Sequence, residues 1–108
     1  MPYDPHLLED MRGALAGKKG IVEKKMFGGY CWMLHGNMIC GVEVGRFMFR
    51  VGADQESHAL TWPGARPMDI TGKPMRGFVW VNADDALETG LKQWIELAAR
   101  FVGSLPPK

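Results

Sequence analysis

Apolar residues in the first fifteen positions recur every three to four residues, which is the spacing of an amphipathic helix. Asp4 can cap the free amides at the start, and Pro5 suits the first helical position because no needed donor is lost there. Gly17 follows the last apolar position and ends the pattern. We therefore predict a helix over residues 5–16. Its apolar stripe consists of Leu7, Leu8, Met11, Ala14 and Leu15.

From Ile21 the apolar positions follow the shorter period of β-strands. The segments IVEKKMF, YCWML, NMICGVEV and RFMFRV succeed one another along the chain. Short turns at His35-Gly36 and Gly45-Arg46 separate the last three segments. Strands joined by such turns are typical of an antiparallel meander.

The second hairpin has a self-consistent register if Gly45 is the first residue of a two-residue type II′ turn. All the large apolar residues of both strands then share one face, which we assign to the core. The opposite face, with Glu43 across from Met48 and beside Arg46 and Arg50, is predicted to be solvated. The predicted pairs are Val44 with Phe47, Val42 with Phe49 and Cys40 with Val51.

The first hairpin admits two registers. A two-residue turn at His35-Gly36 is favoured, because glycine suits its second position. A three-residue loop instead places Trp32 opposite Cys40 and turns every side chain of the strand to the other face. The favoured register pairs Met33 with Met38 and Cys31 with Cys40. In a reducing compartment we expect two free, buried thiols rather than a disulfide between the cysteines.

The second half of the chain contains fewer strand signals. We predict a short helix over 53–61, a loop over 63–77 because of its three prolines and three glycines, and a strand over 78–82. A long amphipathic helix follows, with Asp84 and Asp85 near its start, where acidic residues favour the helix dipole. SLPPK ends it. Its apolar stripe consists of Leu87, Leu91, Trp94, Ile95, Ala98, Phe101, Val102 and Leu105.

This order of elements predicts an α+β fold. We expect a single antiparallel sheet of four to five strands with the N- and C-terminal helices packed on one face, a two-layer sandwich. The face that carries Phe47, Phe49 and Val51 is the expected partner of the last helix. Residues 1–108 are long enough for one domain with one core.

The composition narrows the class of protein. Apolar residues make up 46% and charged residues 23%, which is ordinary for a globular protein and unlike a disordered chain. A formal net charge of +1 gives no electrostatic footprint for direct nucleic-acid binding. No apolar run approaches the roughly 20 residues of a membrane span, and the N-terminus lacks the pattern of a signal peptide. A cytoplasmic protein is the expectation.

Candidate chemistry is sparse. Gly28-Gly29 is followed by a strand-like run rather than a helix and matches no phosphate-binding motif, so we interpret it as a bend or a close backbone approach. The three histidines have no metal-ligand spacing, and no serine lies in a nucleophile motif. We expect no catalytic group, no metal and no cofactor. Eight methionines are many for this length, and methionine serves both as core filler and at adaptable contact surfaces.

A family resemblance begins at KKMFGG, Lys24 to Gly29, and continues through GRFMFRVG at 45–52. These segments resemble the N-terminal domain of the TfoX/Sxy family. The likeness extends from YDPHLLEDMR through ARPMDITGKPMRGFVWV to FVGSLPPK. The whole chain thus resembles the short stand-alone members of the family. It implies a small α+β domain and a link to regulation. Full-length family proteins carry a second, helical domain and promote natural competence in bacteria by acting with a transcription activator.

The leading hypothesis is a non-enzymatic cytoplasmic module that binds a protein partner, with a possible homodimer through a sheet edge or a methionine-rich face. An alternative is a small-ligand binder or enzyme with a pocket between the sheet and the loop 63–77. A third hypothesis is weak nucleic-acid binding. The residues expected to contact a partner are Lys25, Met26, Phe27, Gly28, Gly29, Arg50, Arg66, Pro67 and Met68.

Overall fold

The computed structural model of the protein describes residues 5–26, 29–70 and 73–107. Within them the chain forms four helices and six strands in the order α1-β1-β2-β3-β4-α2-β5-β6-α3-α4. The helices are α1 (Pro5–Leu15), α2 (Ala53–Ala59), α3 (Ala83–Thr89) and α4 (Leu91–Val102). The strands are β1 (Ile21–Met26), β2 (Gly29–Leu34), β3 (Asn37–Glu43), β4 (Arg46–Arg50), β5 (Ala65–Ile70) and β6 (Lys73–Asn82).

All six strands form one antiparallel sheet in the spatial order β1-β2-β3-β4-β6-β5. The α+β class and the single antiparallel sheet are confirmed, whereas the expected count of four to five strands is wrong. The additional strand comes from the segment 63–77, for which the composition predicts a loop. Among the described residues, no helix has the length and hydropathy that a membrane span requires.

The four helices contribute to one core on a single face of the sheet, which we call the closed face. Trp94 of α4 lies at its centre and stacks on Phe49 with ring centroids 5.1 Å apart. Trp62 meets the same indole edge-on at 4.5 Å. Gln55 of α2 donates hydrogen bonds of 2.8 Å from Nε2 to the carbonyl oxygens of Val51 and Leu97. These contacts fix α2 and α4 relative to β4.

The β3–β4 hairpin differs from the predicted register by two residues. Val42 lies opposite Phe47 and Glu43 opposite Arg46, so the turn is Val44-Gly45. Gly45 has φ of +73°, which favours glycine at the second turn position rather than the first. A shift of two preserves the face of each side chain, and the predicted core residues of both strands are buried. Val44 is the exception: it is 59% exposed in the turn.

The β2–β3 hairpin combines the two predicted registers. Next to the His35-Gly36 turn, Met33 lies opposite Met38, as the favoured register predicts. Farther from the turn Trp32 lies opposite Cys40, as the alternative predicts, because a β-bulge inserts one extra residue on β3. Cys31 therefore lies opposite Gly41 and not opposite Cys40. Both cysteines are free and buried.

The segment 63–77 is not the predicted loop. Most of it pairs as the hairpin β5–β6, in which Arg66 lies opposite Trp80 and Pro67 opposite Val79. Proline is tolerated here because β5 is an edge strand and its missing donor breaks no ladder on the outer side. The register shifts between Pro67 and Asp69. The predicted strand 78–82 is the second half of β6.

Each segment predicted to be helical contains a helix, but the boundaries differ and the single C-terminal helix that was expected is two helices. α1 ends one residue before the predicted limit, and α2 ends two residues before it. The long C-terminal helix is divided at Gly90 into α3 and α4. Leu87, assigned to the buried stripe, is 40% exposed because it belongs to α3 and not to the packed face of α4.

Candidate functional site

The face of the sheet opposite the four helices, which we call the open face, carries a row of side chains from four neighbouring strands. Cys31 of β2 lies opposite Gly41 of β3, Gly41 opposite Met48 of β4, and Met48 opposite Trp80 of β6. Successive residues of a strand point to opposite faces, so these residues alternate with the core positions of the closed face. The row is apolar, although the sequence pattern assigned Met48 to a solvated face.

A groove with a volume of about 530 Å³ lies along this row. Its wall is mainly apolar and rich in sulfur. Met48 is only 5% exposed and Met68 is 8% exposed, so these two methionines form the wall rather than project into solvent. The groove is lined by Met38, Met48, Met68 and Met75, by Phe78 and Trp80, and by Cys31. We call it the methionine groove.

Gly41 allows close packing in the middle of this face, where it lines the groove. A Cβ atom at this position would lie 3.3 Å from both Cys31 Sγ and Met48 Cε, and 3.2 Å from the carbonyl oxygen of Tyr30. The missing side chain therefore lets the two sulfur-bearing neighbours approach the backbone more closely than a Cβ atom would allow. Gly29 at the start of β2 also lines the groove, and a Cβ there would overlap the carbonyl oxygen of Val42.

Arg46 forms one rim of the groove in a fixed orientation. Its guanidinium carbon lies 3.6 Å from the centroid of the Trp80 ring, a cation–π contact. Its Nε donates a hydrogen bond of 2.9 Å to Glu43 Oε1. The two terminal nitrogens of Arg46 have no hydrogen-bond partner among the described residues. They can donate to a group that enters the groove.

The Cys31 thiol of the groove is poorly suited to nucleophilic chemistry. Burial raises the pKa of the Cys31 thiol, and the nearby Glu43 carboxylate raises it further, so little thiolate forms at neutral pH. Within the described ranges, histidine, cysteine, aspartate and glutamate side chains form no group of three that could hold a metal ion. The arrangement provides a soft apolar surface and a cationic rim.

The predicted contact residues are distributed over three places. Gly29 and Met68 both line the methionine groove. Arg50 lies at the end of β4, with its guanidinium 5.5 Å from the rings of Phe78 and Phe101. The others lie on the two edge strands: Lys25 and Met26 on β1, and the exposed Arg66 and Pro67 on β5.

Phe27 and Gly28 lie outside the described residues. Met26 at the end of β1 pairs with Gly29, and the residues from Gly29 onward form the strand β2 rather than a helix. The interpretation of Gly29 as a position of close backbone approach is confirmed, because a Cβ atom there would overlap the carbonyl oxygen of Val42.

Sequence reasoning missed most of the groove. Cys31, Gly41, Met48 and Trp80 come from four strands, and their alignment depends on the bulge in β3 and on the pairing of β4 with β6. The excess of methionine was the available signal, since four of the eight methionines line the groove. A second signal was Met48 on a face that is otherwise polar in β4.

The fold and the site together define a class of protein. It is a small α+β domain with helices on one face of the sheet and an apolar groove on the other. The family model of the TfoX N-terminal domain matches residues 14–102, which is most of the chain. The protein therefore belongs to the TfoX N-terminal domain family. No curated protein and no solved structure matches the chain.

Proposed function

We propose that the protein is a non-enzymatic, cytoplasmic regulatory module that binds a protein partner through the open face of its sheet. The observation that carries this proposal is the methionine groove, a mainly apolar groove of about 530 Å³ on the sheet face opposite the helices. Contiguous apolar surface on a globular protein marks an interaction site in many proteins. Membership in the TfoX N-terminal domain family supports a role in regulation.

The composition of the groove suits a protein contact. Methionine is unbranched and polarizable, so its side chain adapts to the shape of a partner. Trp80 and the rim residue Arg46 are of the types enriched among the residues that dominate binding energy at interfaces. The groove thus provides adaptable contacts next to a fixed aromatic and cationic anchor.

The test is affinity capture from a lysate of the source organism with three forms of the protein, read by quantitative mass spectrometry. Met38→Lys places a charge in the groove at a half-buried position that tolerates a long side chain. Gln93→Lys adds the same charge on the exposed surface of α4 and is the matched control. A partner held by the wild-type protein and by Gln93→Lys, but lost from Met38→Lys, supports the proposal. Equal recovery by all three forms contradicts it.

The groove volume also favours a second candidate function, the binding of a small ligand. Ligand pockets typically measure about 300 to 1,000 Å³, and this groove lies within that range. Met68 and Met75 come from the segment 63–77, beside which the sequence predicts a ligand pocket. A thermal-shift screen of nucleotides and metabolites tests it, since a ligand at 100 times its Kd adds about 2.7 kcal/mol of stability. A hit that Met38→Lys abolishes and Gln93→Lys retains assigns the ligand to the groove.

A further inference from the structure

We infer that the occupant of the methionine groove is an acidic amphipathic helix of a partner protein, whose apolar side chains enter the groove while a carboxylate meets Arg46. This inference rests on the proposed function and specifies the chemistry of the partner. Three observations carry it: the charge of the open face, the orientation of Arg46, and the way in which the opposite face is covered.

Among the side chains that the structure describes, the open face is cationic although the whole chain is nearly neutral, with a formal net charge of +1. Lys24 lies opposite Cys31, and Arg66 lies opposite Trp80, so both flank the apolar row. Arg46 lies on the same face, at the start of β4, and lines the groove. Glu43 is the acidic residue on the groove wall, and it is already paired with Arg46. Complementary charge on a partner is therefore negative.

The side chain of Arg46 is already oriented to bind a carboxylate. The Trp80 ring and the hydrogen bond to Glu43 hold its guanidinium in place, and its terminal nitrogens have no partner among the residues described. A planar guanidinium edge can donate two parallel hydrogen bonds to one carboxylate. Because the side chain is already oriented, less conformational entropy is lost when the contact forms.

A helix is the natural cover for this face. On the closed face, α4 buries its apolar stripe, including Trp94 and Ile95, against the sheet. A partner helix with apolar residues at positions i, i+3, i+4 and i+7 would do the same against the groove. A second copy of the chain fits less well, because its open face would bring a cationic rim against another. A nucleic-acid base would have to displace Arg46 to stack on that side of Trp80.

The experiment uses the full chain and a fluorescein-labelled synthetic helix of about 18 residues, built from Leu, Ala and Glu with Leu at helical spacing. A second peptide has Lys at every Glu position. Fluorescence anisotropy should show the acidic peptide binding at least tenfold more tightly than the basic one, with affinity falling as salt is added. Arg46→Gln should weaken the acidic peptide about tenfold. Arg100→Gln, on the exposed surface of α4, should leave its affinity unchanged.

Circular dichroism and melting curves of each variant establish that it is folded. If Arg46→Gln does not fold, Arg46→Lys keeps the charge but removes the paired donors, and a loss of several-fold is then expected. Equal affinity for the two peptides, or an acidic-peptide affinity that neither Arg46 variant changes, overturns the inference. A labelled single-stranded oligonucleotide that binds more tightly than the peptide also overturns it. So does a dimer in light scattering that Met38→Lys dissociates.

The two proposals can fail separately. If Met38→Lys abolishes capture of a partner but the acidic peptide does not bind, the groove is a contact site and only the chemistry assigned to its occupant is wrong. If capture is unaffected by Met38→Lys, the proposed function itself is wrong.

Discussion

The ring of Phe101 in α4 lies directly against Gly52, the residue that links β4 to α2. A Cβ atom at Gly52 would overlap the carbons of that ring. Gly52 also has φ of +83°, a conformation that side chains of L-residues rarely adopt. Its amide donates a hydrogen bond of 3.0 Å to the carbonyl oxygen of Gly77. Gly52 thus contacts β6 through its amide and α4 through its lack of a side chain.

Gly52→Ala should lower the free energy of unfolding by about 2–4 kcal/mol, since both an unfavourable backbone conformation and overpacking are introduced. Chemical denaturation monitored by tryptophan fluorescence measures the change. Gly13→Ala is the control, because Gly13 lies in α1 with open space where a Cβ would be added, and the substitution should gain up to about 1 kcal/mol. If Gly52→Ala left the free energy of unfolding unchanged, this would contradict the close contact between Gly52 and the Phe101 ring.

Val42 and Val44 distinguish the observed register of the β3–β4 hairpin from the predicted one. Val42 is 2% exposed and Val44 is 59% exposed. Val42→Ala should cost about 2 kcal/mol of unfolding free energy, whereas Val44→Ala should change it by less than about 0.5 kcal/mol. Urea denaturation of the two variants gives both values. Equal losses would indicate the register in which Val44 pairs with Phe47.

Glu23 of β1 should contribute stability at neutral pH that disappears in acid. Arg12 of α1 donates to both of its carboxylate oxygens, at 2.8 and 2.7 Å, and this pair lowers the pKa of the Glu23 carboxyl. A carboxyl whose pKa is lower in the folded state stabilises the protein above its unfolded pKa, and that stability is lost as the pH falls.

Glu23→Gln should therefore melt at a lower temperature than the wild-type protein at pH 7, and the difference should narrow as the pH is lowered through the range where carboxylates titrate. Melting curves at a series of pH values measure this. Glu88→Gln, at an exposed position of α3 without an ion pair among the described residues, should match the wild type throughout. A difference that grows in acid would exclude the Arg12–Glu23 pair as its source.

The two thiols should react in a fixed order. Cys31 lines the methionine groove, whereas Cys40 is fully buried with Sγ 3.9 Å from Met11 Sδ. Burial raises the pKa of both thiols, so both react slowly in the folded protein. Titration with a chromogenic disulfide reagent should modify Cys31 first and Cys40 only on unfolding, giving two thiols in denaturant. Cys31→Ala should remove the reaction of the folded protein. A titration that finds no thiol in denaturant would show a disulfide instead.

Local periodicity was sufficient for much of the fold. The three-to-four-residue spacing of Leu8, Met11 and Leu15 predicts α1, because a helix must bury one stripe. The alternation around Phe47 and Phe49 predicts the closed face correctly even though the pairing of the strands was off by two residues. Since side chains alternate with a period of two, a shift of two residues leaves each on its face.

Composition gave a wrong prediction of secondary structure where the position of a segment in the sheet decides whether it forms a strand. Pro67 and the glycines of 63–77 favoured a loop, yet β5 forms because an edge strand tolerates a missing amide donor. Because of the bulge in β3, Cys31 likewise lies opposite Gly41 and not opposite Cys40. Neither event has a distinct local signal, since each depends on what lies on the neighbouring strand.

The sequence alone determined where the helices lie, the meander and most residues of the core, because burial of apolar surface imposes a period on each segment separately. Only the tertiary structure decided that Cys31, Gly41, Met48 and Trp80 form one row and leave a groove beside Arg46. The physical reason is that a strand's own pattern fixes which way a side chain points. Its neighbours across the sheet are set by register, and register depends on turns, bulges and strand order taken together.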